Sequence, residues 1–407
     1  VGEVKIALEV FTHALLNGEL CETPRLEGRV AHALLGSLEL FVRFQVHRLI
    51  PRKPVKIHID SAAVARIRRA ACIPDRLGGF GVHNTTNVVG SNRVQHVHRK
   101  ATHVVAGQDA VVPRLAPRRA PAVLNFPISG ISMSRSFIRA LGYIKAGAAA
   151  ANAELGIIDD EMKDVIISAS ISVADGNFDE HFPVDVFQTG SGTSTNMNAN
   201  EVIATISSEE SGLKIHPNDH VNQGQSSNDV IPSALHLSAL LEIEENLCPA
   251  LLNLQTSLSQ KSDEFMSIIK TGRTHLMDAT PIRLGQEFVG YAGLIERSLD
   301  RLLLAKDELS LLALGGTAVG TGVNTKSKFS ELACQHISKL SGIDVYETDN
   351  HFLAQSSLDG ALTTSGVLRG LAVSLQKIAN DIRLMGSGPR SGISELSLPA
   401  VQPGSSI

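Results

Sequence analysis

Three short segments concentrate the residue types that bind anions. The first runs Thr189-Gly-Ser-Gly-Thr-Ser-Thr-Asn-Met-Asn-Ala-Asn200, the second Gln225-Ser-Ser-Asn-Asp229, and the third Lys270-Thr-Gly-Arg-Thr-His-Leu-Met-Asp-Ala-Thr-Pro281. Each is read as lying where a helix begins or a loop meets one. Helix starts present unpaired backbone N–H groups at the positive end of the dipole, and short hydroxyl and amide side chains add directed donors, so a small anion suits them. Taken singly, the first two are equally well explained as helix caps, because Ser, Asn and Asp cap by the same chemistry. A single histidine such as His275 is by itself more often structural than catalytic. His216 and His220 have the four-residue spacing of a metal pair, but Pro217 and the lack of a third ligand argue against one. The glycines of residues 315–322 imitate a dinucleotide fingerprint. No strand is read before them and no strand–helix–strand unit around them, so a tight bend is expected.

These segments interrupt helices. From Ser134 onward, Phe137, Ile138, Leu141, Ile144, Lys145 and the alanines to Ala153 have helical spacing. Three long helices are predicted over 230–246, 285–314 and 358–385. The middle one places Phe288, Ala292, Ile295, Leu299, Leu302 and Leu309 on one side and its charged residues largely on the other, with a length of about 45 Å. Helices this long, without membrane hydrophobicity, pack side by side in a bundle. The glycines Gly386 and Gly388, with Pro389, are read as ending the third helix. The expected architecture is all-α, an elongated long-helix bundle. Its parts are an unassigned segment 1–120, an N-terminal domain 121–225 and a central helical bundle 226–407.

The chain has 407 residues, enough to bury a core without disulfides. Its four cysteines, Cys21, Cys72, Cys248 and Cys334, show neither a C-x-x-C pair nor a regular spacing, which points to reduced thiols. No apolar run reaches the roughly 18 residues of a membrane span, and the start lacks the charge order of a signal peptide; the expected location is cytoplasmic. Residues 1–120 hold 18 basic and 9 acidic groups (net +9), leaving 19 basic and 32 acidic (net −13) for the rest. Such a split fits either a basic nucleic-acid-binding arm or a segment read from an unrelated frame. A helix over 30–50 and a strand over 55–59 are the only elements suggested there, and the arginines and histidines fit no stripe, which favours the out-of-frame or fused reading. A cooperative unfolding transition for isolated residues 1–120 refutes it. Zero Trp and few Tyr argue against stacking platforms for single-stranded nucleic acid.

The runs His216-Pro-Asn-Asp219, Gln225-Ser-Ser-Asn-Asp229, Gly272-Arg-Thr-His-Leu276, Asp278-Ala-Thr-Pro281, Leu314-Gly-Gly-Thr-Ala-Val-Gly-Thr-Gly322 and Ser387-Gly-Pro-Arg390 together resemble class II fumarase, of the fumarase/aspartase superfamily, in order and spacing. The resemblance implies an all-helical homotetramer whose bundles join in a twenty-helix core and whose active sites are shared between three subunits. It implies reversible anti hydration of fumarate to (S)-malate, without metal or organic cofactor. His275 and the Gly315-Gly-Thr-Ala318 run favour fumarase over aspartate ammonia-lyase, which typically carries Gln after the Thr and Gly-Ala-Thr-Ala in that run. By the same resemblance, Ser191, Gly192, Thr193, Ser226, Ser227, Asn228 and Thr274 hold the dicarboxylate, and His275 acts with a bound water at the hydroxyl. Ser405 is implied as the base at carbon 3, with Ser406 beside it binding substrate. His216, Pro217, Asn218 and Asp219 are implied as a second, non-catalytic dicarboxylate site. Neutral donors suit a dianion leaving water, since each bond to a charged acceptor contributes about 1.5–3 kcal/mol.

The sequence departs from the pattern at both ends. The family continues after Gly404-Ser-Ser-Ile407 with a Met-Pro-Gly-Lys-Val-Asn stretch, further helix and a small C-terminal domain, so the chain is read as truncated inside the catalytic loop and impaired in activity. The missing Lys and Asn bind substrate in the family, and one preorganised donor is worth about 3–4 kcal/mol in a barrier. The rival class is a non-catalytic assembly or binding protein in which the basic arm engages nucleic acid; the intact His275 and Ser191-Gly-Thr193 set argues against it. A salt-sensitive nucleic-acid shift that vanishes on deleting residues 1–120 is its signature.

Overall fold

The structure is a computed structural model that describes residues 115–116, 120–126, 128–188 and 190–399. The readings for residues 1–114, including both suggested elements, and those for Thr189, Ser405 and Ser406 lie outside the described residues. Helices dominate the described part: α1 (Ala120–Asn125), α2 (Arg135–Glu154), α3 (Asp160–Ala174), α4 (Thr193–Ser211), α5 (Ser227–Glu242), α6 (Cys248–Phe265), α7 (Leu284–Leu309), α8 (Phe329–Ser341), α9 (His351–Ser356) and α10 (Asp359–Met385). Four short strands form two pairs: β1 (Ile269–Thr274) with β2 (Met277–Arg283), antiparallel, and β3 (Leu311–Leu312) with β4 (Tyr346–Glu347), parallel.

The caps are written in the sequence. Ser134 accepts the Phe137 N–H ahead of α2, and Asp159 accepts the Met162 N–H at 2.7 Å ahead of α3. Helix α2 is buried nearly all round because α3, α5 and α8 pack against it. Its small residues allow this: a Cβ at Gly147 would lie 2.9 Å from the Ala333 carbonyl of α8. Helix α7 packs on α6 and α10 through Phe288, Tyr291, Ile295 and Leu302. Phe288 meets both Phe265 and Tyr291 edge-on, at ring separations of 5.2 and 5.4 Å. One continuous buried cluster, including Leu141, Ile203, Leu237, Leu254, Ile295 and Ile378, links these helices.

Several boundaries differ from the sequence reading. Helix α5 passes at residue 243 into a π-helical turn (Ile243–Leu247) and on into α6, whose first turn carries Pro249, a position where the missing N–H is tolerated, so the proline marks the junction without ending the run of helical turns. Helix α7 stops at Leu309, so its 26 residues span about 39 Å, because Leu311 and Leu312 leave the helix to pair with residues 346–347. A short strand therefore does precede the glycine-rich bend, and β3, α8 and β4 form a miniature strand–helix–strand unit. Gly386 ends α10 at φ −82°, not in a left-handed cap. A Cβ at Gly386 would lie 2.6 Å from Leu398 Cδ1, so a larger residue there obliges the Leu398 side chain to move. Among the described residues, no helix is long and apolar enough to cross a membrane. Cys248 and Cys334 are both free, and burial pushes the Cys334 thiol up to about 12.

Candidate functional site

Helices α4 and α5 begin side by side. Gly192, at φ +70°, forms the left-handed N-cap of α4 and offers no capping side chain. A Cβ at Gly192 would lie 2.8 Å from Ile231 Cδ1 of α5, so glycine also brings the two helices together. Ser191 and Thr193 are exposed beside it, their hydroxyls 3.0 Å apart. At the start of α5, Ser226 accepts the Asn228 N–H at 3.3 Å and donates its own N–H to Asp229 Oδ1 at 2.8 Å, a reciprocal capping box. Ordinary capping is thus a true role of Ser226. Ser227 is half-buried and Asn228 exposed in the same turn.

A third segment joins them. Asp229 Oδ2 accepts the N–H groups of Gly315 and Thr317, both at 2.9 Å, and Asn228 Nδ2 donates to the Ala318 carbonyl at 2.7 Å. Two N–H groups of the glycine-rich bend are therefore already spent on a carboxylate, which explains why this bend is no phosphate loop despite the strand ahead of it. Burial raises the Asp229 pKa to about 6, opposed by its backbone bonds and by the Lys145 charge. Lys145 is fully buried and donates to Asn222 Oδ1 at 3.0 Å and Gln225 Oε1 at 2.9 Å. Burial lowers its pKa to about 7, against the pull of Asp229. The sequence reading gave neither Lys145 nor Asp229 a role. The available signal was Lys145 itself, a cation on the apolar stripe of α2.

Thr274 and His275 stand elsewhere. The third polar segment is not a helix start but the β1–β2 hairpin, and His275 is not on a helix: His275 and Leu276 form its turn at φ 52° and 61°. Thr274 and His275 are exposed. Below them Lys270 donates to Glu287 Oε2 at 2.7 Å and is paired with Glu395, and Arg273 binds Glu395 as well. These side-chain bonds run to α7 and to residue 395 rather than to α4 or α5. The described chain thus gathers Ser191, Gly192, Thr193, Ser226, Ser227 and Asn228 at one place and holds Thr274 and His275 on a separate projection.

His216 caps a π-helical turn (Pro217–Val221). Its Nδ1 lies 3.1 Å from the Asp219 N–H and 3.0 Å from Asp219 Oδ2. It serves one at a time, accepting from the backbone when Nδ1 is bare and donating to the carboxylate when Nδ1 carries a hydrogen. His220 Nδ1 accepts the His216 N–H at 3.0 Å. Pro217 is half-buried in this turn, whereas Asn218 and Asp219 are exposed. Among the described residues, no group of three or more His, Cys, Asp or Glu is placed to hold a metal.

A family profile described as "Lyase" matches residues 122–407. The chain is 54% identical over 291 residues to a class II fumarate hydratase of Halobacterium salinarum, covering 70% of this chain and 62% of the relative. It is 50% identical over 287 residues to one of Corynebacterium glutamicum, covering 70% and 60%. The chain thus spans about three fifths of the length of these curated relatives. A crystal structure of class II fumarase from Schistosoma mansoni superposes with a TM-score of 0.69 at 38% identity, over 71% of this chain and 65% of that one. A cobalt-bound fumarate lyase:delta crystallin structure from Brucella melitensis gives 0.67 at 43% identity, over 73% and 66%.

Proposed function

The chain belongs to the lyase family, and from that membership we propose that it is a fumarate hydratase, catalysing the reversible anti addition of water to fumarate to give (S)-malate. The observation that carries this reading is the pair of adjoining helix starts at Thr193 and Ser227. They offer hydroxyl, amide and backbone donors without a lysine or arginine among them. A dicarboxylate held there by Ser191, Gly192, Thr193, Ser226, Ser227 and Asn228 keeps its charge on short hydrogen bonds, and Thr274 adds another donor. In the dehydration direction Ser405 takes the proton from carbon 3, and the electron pair spreads into the adjoining carboxylate. His275, through a bound water, protonates the departing hydroxyl at carbon 2. The carbanion then forms the double bond. His216, Pro217, Asn218 and Asp219 make a second dicarboxylate site, in which the His216 ring nitrogen stands 3.0 Å from the Asp219 carboxylate.

His275 reaches the α4 and α5 starts from another copy of the chain, in a cytoplasmic homotetramer with shared active sites. Two features support this: the anchoring of the hairpin away from those starts, and the exposed Val289, Leu303 and Leu304 of α7 with Leu362 and Val373 of α10, apolar residues that a second copy can cover.

The test is to incubate the purified protein with fumarate in deuterated water and follow malate by NMR, with calorimetry for fumarate binding. Malate carrying one deuteron at carbon 3, in a single configuration, supports the reading. Ammonia release from aspartate instead makes the chain an aspartate ammonia-lyase. Absence of both turnover and fumarate binding overturns the enzymatic reading and leaves an assembly or binding protein.

A further inference from the structure

Behind the donors of α4 and α5 lies a pair of buried charges that the proposed chemistry does not consume. Asp229 is wholly inaccessible, yet it is the point where two segments 86 positions apart meet: Oδ1 takes the Ser226 N–H, and Oδ2 takes the N–H groups of Gly315 and Thr317. On the other side of Ser226, Lys145 reaches in from α2 to hold the side chains of Asn222 and Gln225, and Asn222 Oδ1 also receives Asn196 Nδ2 of α4 at 3.3 Å. A continuous set of bonds therefore runs from α2 through residues 222–226 to Asp229 and the 315–317 bend, touching α4 on the way. Buried groups of this cost persist where their loss leaves several partners unsatisfied.

We propose that Asp229 is a positioning residue, fixing the donors Ser226, Ser227 and Asn228 against the 315–318 bend, with Lys145 holding the same turn from behind. This rests on the reading that those three residues bind a dicarboxylate. Asn228 shows why the placement matters. Its side chain is aimed by the bond to the Ala318 carbonyl, and that carbonyl is located by the Gly315 and Thr317 bonds to Asp229. The carboxylate accepts at both oxygens. An asparagine of the same size accepts at one and presents N–H to the other, so it leaves either Ser226 or the pair Gly315 and Thr317 without an acceptor.

The experiment is Asp229→Asn in the full chain, read by amide hydrogen exchange and by fumarate hydration kinetics. Exchange at Ser226 or at Gly315 and Thr317 is expected to speed by about tenfold or more, as a bond to a charged acceptor is lost, while amides of α7 keep their protection. The value of kcat/KM is expected to fall about 100-fold, with kcat down and KM up together, since a misplacement near 1 Å costs that much. Unchanged exchange at all three amides overturns the proposal whether or not the protein hydrates fumarate. Faster exchange with unchanged kinetics overturns it too. A wild-type protein inert toward fumarate sinks the fumarate reading separately, and the Asp229 anchor then stands or falls on the exchange result. If Asp229→Asn does not fold, Lys145→Gln, which leaves Asp229 in place, is read at the Ser226 amide and in kcat/KM, where no change is again the overturning result.

Discussion

Glu395 closes the base of the β1–β2 hairpin by receiving both terminal nitrogens of Arg273, at 2.5 Å to Oε1 and 2.9 Å to Oε2, across 122 positions of sequence. It also pairs with Lys270, which is shared with Glu287. Burial pushes the Glu395 carboxyl up, but the Arg273 and Lys270 bonds outweigh it and hold the group below the ordinary carboxylate range. A folded-state pKa below the unfolded value means that the contribution is present above that range and lost as pH falls through the folded value. With both side chains 18% exposed, water screens the pair, and Glu395→Gln is expected to cost about 1–2 kcal/mol at neutral pH. Urea unfolding measures it. The difference from wild type should shrink in acid, and equal stability at neutral pH would reject the anchor.

His275→Asn separates chemistry from folding. The side chain is exposed in a turn with positive φ at both positions, where asparagine is well tolerated. The melting temperature should therefore stay unchanged, while hydration of fumarate should slow by about 10²–10⁴-fold if His275 handles the proton of the attacking water. Full turnover in this variant removes His275 from the mechanism.

Much of this arrangement was legible in the sequence because it is local. The helical spacing from Phe137 to Ala153 and the stripe of Phe288, Ile295 and Leu302 are set by neighbouring residues, and α2 and α7 formed where those stripes indicated, α7 ending at Leu309. The hairpin was not legible. Its turn uses His275 and Leu276 in place of Asn-Gly, and residues 277–281 are exposed throughout, so neither turn chemistry nor a two-residue period announces it. The joining of the α4 and α5 starts to residues 315–318 depends on Asp229 meeting amides far along the chain, which no periodicity encodes. The Lys145 position on an apolar stripe was visible, but its partners Asn222 and Gln225 were not.

Gly192 tests the contact between the two helix starts. Alanine at φ +70° costs about 1–2 kcal/mol in backbone strain, and its Cβ meets Ile231 at 2.8 Å, so Gly192→Ala should lose more than the strain alone. Fumarate affinity should drop with it, because Ser191 and Thr193 flank the displaced residue. Measured in the Ile231→Ala background, the same substitution should lose only the strain. Equal losses in both backgrounds would show that Ile231 does not set the approach of α4 to α5.

Lys145→Met probes the buried ammonium by the pH dependence of stability. Burial, opposed by the Asp229 charge, lowers the Lys145 pKa to about 7 in the folded chain from 10.5 in the unfolded one. Between these values the unfolded state binds more protons, so this residue makes wild-type stability rise with pH across that window; below it, the cost of the buried cation is fully present. The groups around its Nζ are Asp229, whose own titration near 6 lies below the window, and the neutral Asn222 and Gln225. Methionine carries no proton and also leaves the Asn222 and Gln225 oxygens without their donor, so the absolute stabilities of the two proteins are not comparable term by term. Their slopes are. Urea unfolding across the alkaline range should show wild type gaining on Lys145→Met as pH rises from about 7, and parallel curves would mean that the folded chain keeps this ammonium charged throughout.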